Sequence, residues 1–118
     1  MVGEDFMIRD GVLVCYNRKC DVVIPDGVKV IASGAFESDH SLLSVVIPDG
    51  VEKIEERAFE DCYQLASVTL PVSVKEIGKT AFSYCSRELT IFAPAGSYAE
   101  TFAKEHNYRL GEVGRLLP

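Results

Sequence analysis

Apolar positions along the chain repeat at a distance much longer than any helix or strand period. Val22-Val-Ile-Pro-Asp-Gly-Val28 returns as Val45-Val-Ile-Pro-Asp-Gly-Val51, and a looser version runs from Val68 to Val74, at an offset of 23 residues each time. Superimposing 22–44, 45–67 and 68–90 gives identical columns at Val22/Val45/Val68, Pro25/Pro48/Pro71, Val28/Val51/Val74, Ile31/Ile54/Ile77, Ala35/Ala58/Ala81 and Phe36/Phe59/Phe82. Ile24/Ile47/Leu70 is conservative, Cys62 and Cys85 fall opposite Asp39, and Leu42/Leu65 slips one place to Leu89 in the third unit. A broken fourth unit begins at Ile91 and keeps Pro94. Self-similarity of this period is the mark of a solenoid.

Within a unit, Val45 and Ile47 alternate with Ser44, Val46 and Pro48. That reads as a short strand with one inward face, ended by a proline that cannot donate to a ladder. Asp49-Gly50 is turn chemistry. Val51 and Ile54 then point inward on the opposite side of the coil, and Ala58-Phe59 makes a corner before Cys62 and Leu65 lead to the next strand. Alone, this stretch would suit an amphipathic helix. Gly34 and Gly78 in the sibling units would each cost a helix ~1 kcal/mol, so extended backbone is expected over 51–54 and a helical turn near 58–63. A single unit cannot bury these residues, so like must stack on like, with equivalent strands pairing in parallel ~4.8 Å apart. The expected core is Val45, Ile47, Val51, Ile54, Ala58, Phe59, Cys62 and Leu65, joined by Phe36, Phe82 and Cys85 from the adjoining coils.

Both ends of the stack need closing. Phe6-Met-Ile8 and Val12-Leu-Val-Cys15 flank Asp10-Gly11, a two-residue hairpin signal, and a second turn is expected at Asn17-Arg18-Lys19. Ser97-Tyr-Ala-Glu100 is a capping box. Tyr98, Ala99, Phe102 and Ala103 give the following helix one apolar face, with Asn107 as its stop. Two capped ends point to a complete folding unit. The expected organisation is one domain over 1–118: a hairpin cap at 1–21, repeats at 22–44, 45–67 and 68–90, and a partial repeat with a capping helix at 91–118.

The pattern Leu-x-x-Val-x-Ile-Pro-x-x-Val-x-x-Ile-x-x-x-Ala-Phe-x-x-Cys, from Leu42 to Cys62 and, with Leu70 for isoleucine, from Leu65 to Cys85, resembles the BspA-like leucine-rich repeats of bacteria and some protists. The opening Phe6…Asp10-Gly-Val-Leu13…Tyr16 and the close from Leu89 to His106 resemble the lead-in and terminal coil of such repeats. The resemblance implies a leucine-rich-repeat solenoid of the α/β class, with stacked 23-residue coils and a short parallel sheet. It also implies a surface for interaction, adhesin-like in some relatives.

Composition narrows the function classes. With 118 residues, 47% of them hydrophobic, the chain can bury roughly two thirds of its surface around one core. Its formal charge is −6, from 12 basic and 18 acidic residues, with no run of Lys or Arg, so nucleic acid is not an expected partner. No stretch approaches the ~18 apolar residues of a membrane helix, and Met-Val-Gly-Glu-Asp is not a basic leader with an apolar core, so no membrane insertion is expected. The location would be cytoplasmic for a complete chain, and cell-surface or secreted for one excised from a longer protein.

Little catalytic chemistry is visible, and no enzymatic activity, metal or cofactor is assigned. Ser38-Asp39-His40-Ser41 contains the residue types of a nucleophilic triad but reads as polar turn residues, since sequence neighbours rarely face one another. His106 sits where a cation suits a helix C-terminus. Cys15 and Cys20 have the spacing of half a zinc site, but Cys62 and Cys85 share one repeat column and supply no second half. Reduced thiols are the default, with Cys15–Cys20 and Cys62–Cys85 as the pairings left open. Asp26 and Asp49 stack as turn residues rather than calcium ligands, since Val72 and Ala95 replace them in later units. Glu52, Glu55, Glu56, Glu60 and Asp61 make the second coil acidic, as a solvated face or a dock for a basic partner.

One ladder departs from what solubility asks. If Val45 and Ile47 point in, Val23, Val46, Thr69 and Phe92 point out, beside Ser44, Ser67 and Thr90. This strand face is the candidate interaction surface, although strand propensity alone would also favour Val, Thr and Phe there. Two functions stay open: a non-catalytic module binding an unknown protein ligand, or a structural module that self-associates into a homodimer.

Overall fold

The computed structural model describes residues 6–16 and 21–112. Strands β1 (Phe6–Arg9) and β2 (Val12–Tyr16) form an antiparallel hairpin. Its turn residues, Asp10 (φ 52°) and Gly11 (φ 79°), take the left-handed pair that a two-residue loop between twisted strands demands. The turn expected at Asn17-Arg18-Lys19, and Cys20, lie outside the described residues.

Each coil then contributes two short strands: β3 (Asp21–Val23) and β4 (Val30–Ile31), β5 (Ser44–Val46) and β6 (Lys53–Ile54), and β7 (Ser67–Thr69) and β8 (Glu76–Ile77). The chain continues through β9 (Thr90–Ala93), helix α1 (Tyr98–Glu105) and β10 (Arg109–Glu112). Where one sheet was expected there are two of five strands, ordered β10-β9-β7-β5-β3 and β1-β2-β4-β6-β8. The extended stretch expected at 51–54 is thus a ladder of its own, with Ile31, Ile54 and Ile77 in register. The hairpin joins this second sheet, because β2 lies parallel to β4 with Leu13 opposite Ile31, and so stands in for an earlier coil.

The first sheet is parallel throughout, with Val22, Val45, Val68, Ile91 and Leu110 in register. Its fifth strand, β10, extends the fold beyond the helix expected to close it. Between the sheets, Phe36, Phe59 and Phe82 stack with ring centroids 4.7 and 5.2 Å apart and planes within 12°. Phe102 and Tyr108 end the stack edge-on to Phe82, at 6.4 and 6.2 Å. Val45, Ile47, Val51, Ile54, Ala58, Phe59, Cys62, Leu65, Phe36 and Phe82 are all buried, and Cys85 is half-buried against them.

The corner near 58–63 is not a helical turn. Backbone bonds from Ala58 to Glu55, Glu60 to Arg57 and Cys62 to Phe59 close consecutive tight turns, interrupted by left-handed Arg57 (φ 63°) and Asp61 (φ 64°). Such residues halt helix propagation, and the chain uses them to turn back towards the first sheet.

Helix α1 closes the stack. Ser97 accepts from the Glu100 N–H at 3.1 Å, and the Glu100 carboxylate accepts from Gly96 N–H at 2.9 Å. The reciprocal bond of the expected capping box therefore lands one residue earlier, because Ser97 N–H already donates to Pro94. At the other end Asn107 is left-handed (φ 61°), with bonds from Asn107 to Lys104 and Tyr108 to Ala103, the two that stop a helix in a Schellman motif. The Tyr98 hydroxyl accepts the Ile77 N–H at 3.2 Å, satisfying a donor at the last strand of the second sheet. Ser97→Ala should lower stability by ~0.5–2 kcal/mol, read as a lower urea midpoint; an unchanged midpoint would contradict the cap.

Candidate functional site

The outer face of the first sheet follows from the period-2 alternation of strands that bury Val22, Val45, Val68 and Ile91 on the other side. Val23, Val46, Thr69, Phe92 and Gly111 stand in one register column. Val23 is 68% exposed and Val46 39%, while Thr69 and Phe92 are half-buried. Phe92 is covered by β10: a Cβ on Gly111 would collide with Cε1 of its ring. A glycine on β10 thus makes room for the ring, and Phe92 helps to hold that strand. The free apolar part of the column is Val23 and Val46.

Beside it runs the column Asp21, Ser44, Ser67, Thr90 and Arg109. Ser44, Ser67 and Thr90 are half-buried. The Ser44 hydroxyl donates to Asp21 at 2.7 Å, and that of Thr90 to the Glu88 carbonyl at 3.3 Å. The surface is therefore an apolar pair rimmed by hydroxyls.

The residues of Ser38-Asp39-His40-Ser41 do not assemble a nucleophile. Ser38 Oγ donates to Asp61 Oδ2 at 3.1 Å, and His40 Nε2 lies 3.3 Å from the same oxygen, so serine and histidine both address the carboxylate and not each other. Ser41 Oγ donates to Asp39 Oδ1 at 2.8 Å within its own turn. His106 lies against the Phe102 ring, centroids 4.3 Å apart.

Cys62 and Cys85 are free thiols that donate to the carbonyls of Phe36 and Phe59, at 2.9 and 3.3 Å. Burial pushes each thiol up to about 12, so neither is a thiolate nucleophile at neutral pH. Asp26 and Asp49 are exposed turn residues. The acidic second coil is partly neutralised: Lys53 lies 3.9 Å from Glu55 and 3.7 Å from Glu76, and Arg57 lies 3.5 Å from Glu37 and 4.0 Å from Glu60. A groove of about 330 Å³ crosses the second-sheet side of the coils, lined by Ser33, Lys53, Ile54, Glu55, Glu56, Glu76 and Gly78. Its carboxylates are already engaged, Glu55 by Ser33 N–H at 3.0 Å and Glu56 by the Thr80 hydroxyl at 3.2 Å.

Residues 14–104 match the family model described as BspA type leucine rich repeat region, in six copies. Three crystal structures are similar to the chain. A leucine-rich repeat protein from Bacteroides ovatus ATCC 8483 shares 22% identity over 76% of this chain and 35% of that one, with a TM-score of 0.47. A leucine rich cell surface protein from Faecalibacterium prausnitzii A2-165 shares 23% over 76% and 36%, with a TM-score of 0.40. A leucine rich repeat protein of T. pallidum shares 26% over 69% and 62%, with a TM-score of 0.40. The chain thus spans about a third of the first two proteins and less than two thirds of the last. No curated protein matches it.

Proposed function

The chain belongs to the BspA-type leucine-rich-repeat family, and from that premise we propose that it is a non-catalytic module that binds a protein partner through the outer face of its first sheet. Leucine-rich repeats commonly serve as protein-interaction modules, and this solenoid presents adjacent strands in fixed register, a rigid platform that loses little freedom on docking. The supporting observation is the exposed pair Val23 and Val46, side by side on β3 and β5. Ser44, Ser67 and Thr90 would supply the polar rim, with Thr69 beside the pair and Phe92 bracing the platform's far end. Among the described residues no helix is long and apolar enough to cross a membrane. The face would meet its protein partner at a cell surface if the chain is part of a longer exported one.

Replacing Val23 and Val46 together by glutamate should leave the urea midpoint within ~1 kcal/mol of wild type, since both side chains are exposed. The same change should abolish capture of a partner from native extract by the immobilised protein, because burying two unpaired carboxylates is costly. A double variant that folds and captures as before would place the binding surface elsewhere.

Self-association is the second reading, favoured by the outer edges of β3 and β10, which pair with no other strand among the described residues. Open edges are templates for pairing with another chain. Sedimentation at micromolar concentration separates the two readings: a monomer leaves the face free for another protein, whereas a dimer makes the partner a second copy, held through the face if the double substitution disperses it and through an open edge if it does not.

A further inference from the structure

The corner that turns each coil back towards the first sheet carries a column of non-glycine residues in the left-handed region: Ser38 (φ 59°), Asp61 (φ 64°) and Tyr84 (φ 60°). Adjacent corners are tied by backbone bonds, Ser38 N–H to Glu60 at 2.7 Å and Asp61 N–H to Ser83 at 2.8 Å. The three side chains therefore leave the same point on successive coils. Short polar residues tolerate this conformation, but a bulky one there is a steric outlier. Tyr84 is also 77% exposed, so packing does not compensate its strain. Strain of that kind gathers at working surfaces.

Asp61, one coil before Tyr84, is held in position. Ser38 Oγ and His40 Nε2 both meet its Oδ2, at 3.1 and 3.3 Å, and the His40 ring is itself stacked on Tyr63 at 4.3 Å. Among the described residues Oδ1 accepts no hydrogen bond, and the side chain is 46% accessible. Arg57, in the same coil, is engaged by Glu37 and Glu60. The corner thus offers an oriented carboxylate with one open oxygen, one coil away from the equivalent position of an exposed aromatic residue.

We propose that Asp61 and Tyr84 form a receptor for an arginine side chain presented by a protein partner, the guanidinium lying on the Tyr84 ring and donating an N–H to Asp61 Oδ1. A planar guanidinium can stack and donate in its own plane at once, which a lysine ammonium cannot. The open oxygen makes the hydrogen bond charge-assisted, and the chain's net charge of −6 draws a basic segment towards it. The proposal rests on the protein-binding reading but uses a surface distinct from the Val23–Val46 face.

Titrating the isotope-labelled protein with the peptide acetyl-Gly-Arg-Gly-amide, followed by amide NMR shifts, tests the receptor. Saturable shifts are expected at Asp61 and Tyr84, with the lysine and neutral citrulline peptides binding about threefold to tenfold more weakly. Tyr84→Gly removes the ring and also relieves the left-handed strain, so it should fold at least as well as wild type and lose the peptide. Asp61→Asn keeps a residue that tolerates the conformation and should lose it too. The receptor is overturned if those amides do not shift, if lysine or citrulline binds as well as arginine, or if Tyr84→Gly binds like wild type. The Val23→Glu/Val46→Glu variant should bind the peptide normally. If the peptide fails while that variant still loses its captured partner, the receptor is wrong and the module reading stands.

Discussion

Phe59→Ala is expected to lower the unfolding free energy by ~3–5 kcal/mol, the range for deleting a fully buried aromatic ring. Phe59 has no exposed surface and is sandwiched between Phe36 at 4.7 Å and Phe82 at 5.2 Å. Truncation removes both stacking contacts together with the ring's burial. The cavity cannot collapse cheaply, because the coils above and below are spaced by backbone bonds, Phe36 N–H to Ala58 at 2.8 Å and Phe59 N–H to Ala81 at 2.7 Å. A loss of this size is a large part of a small domain's stability. Urea unfolding followed by circular dichroism measures it, and a loss below ~1 kcal/mol would show that the ring stack is not what holds the coils together.

Gly78→Ala should cost about 1–3 kcal/mol, with the upper end favoured because the obstacle is backbone. A Cβ at Gly78 would stand 2.7 Å from Glu56 N and 2.8 Å from Glu56 Cα. The approach is imposed by the Thr80 hydroxyl, which accepts Arg57 N–H at 3.1 Å and donates to Glu56 at 3.2 Å, drawing the third corner onto the second. Relieving the clash means separating the second and third coils, which are joined by Gly78 N–H to Ile54 at 2.9 Å and Phe59 N–H to Ala81 at 2.7 Å. The same urea experiment reads the effect, and a midpoint equal to wild type would mean that the corners can part freely.

The roles of the two glycines that matter most here are not legible in the sequence. There Gly78 argues only against a helix, and Gly111 carries no signal. Both are defined by what sits against them, Glu56 for one and Phe92 for the other. A glycine in a sequence reports the absence of a side chain without naming the neighbour that needs the space. For the same reason the receptor at Asp61 is not legible in the sequence: Ser38, His40, Asp61 and Tyr84 are spread over three coils, and in the sequence Ser38 and His40 stand beside only their own neighbours.

What the sequence determined by itself is the coil. A 23-residue period with Val, Ile, Ala and Phe in fixed columns allows only like-on-like stacking, because no single unit can bury its apolar residues alone. The hairpin turn at Asp10-Gly11 and the cap at Ser97 were legible because their chemistry is local. Tertiary structure decided the rest. Two-residue strands such as Lys53–Ile54 have too little length to show alternation and become strands only when the next coil supplies their partners. Strand β10 lies beyond the last recognisable repeat and is drawn into the sheet because β9 offers an open edge and Phe92 a ring to cover Gly111. That covering, which depends on a contact between residues on either side of a helix, is what leaves Val23 and Val46 as the free part of the outer column.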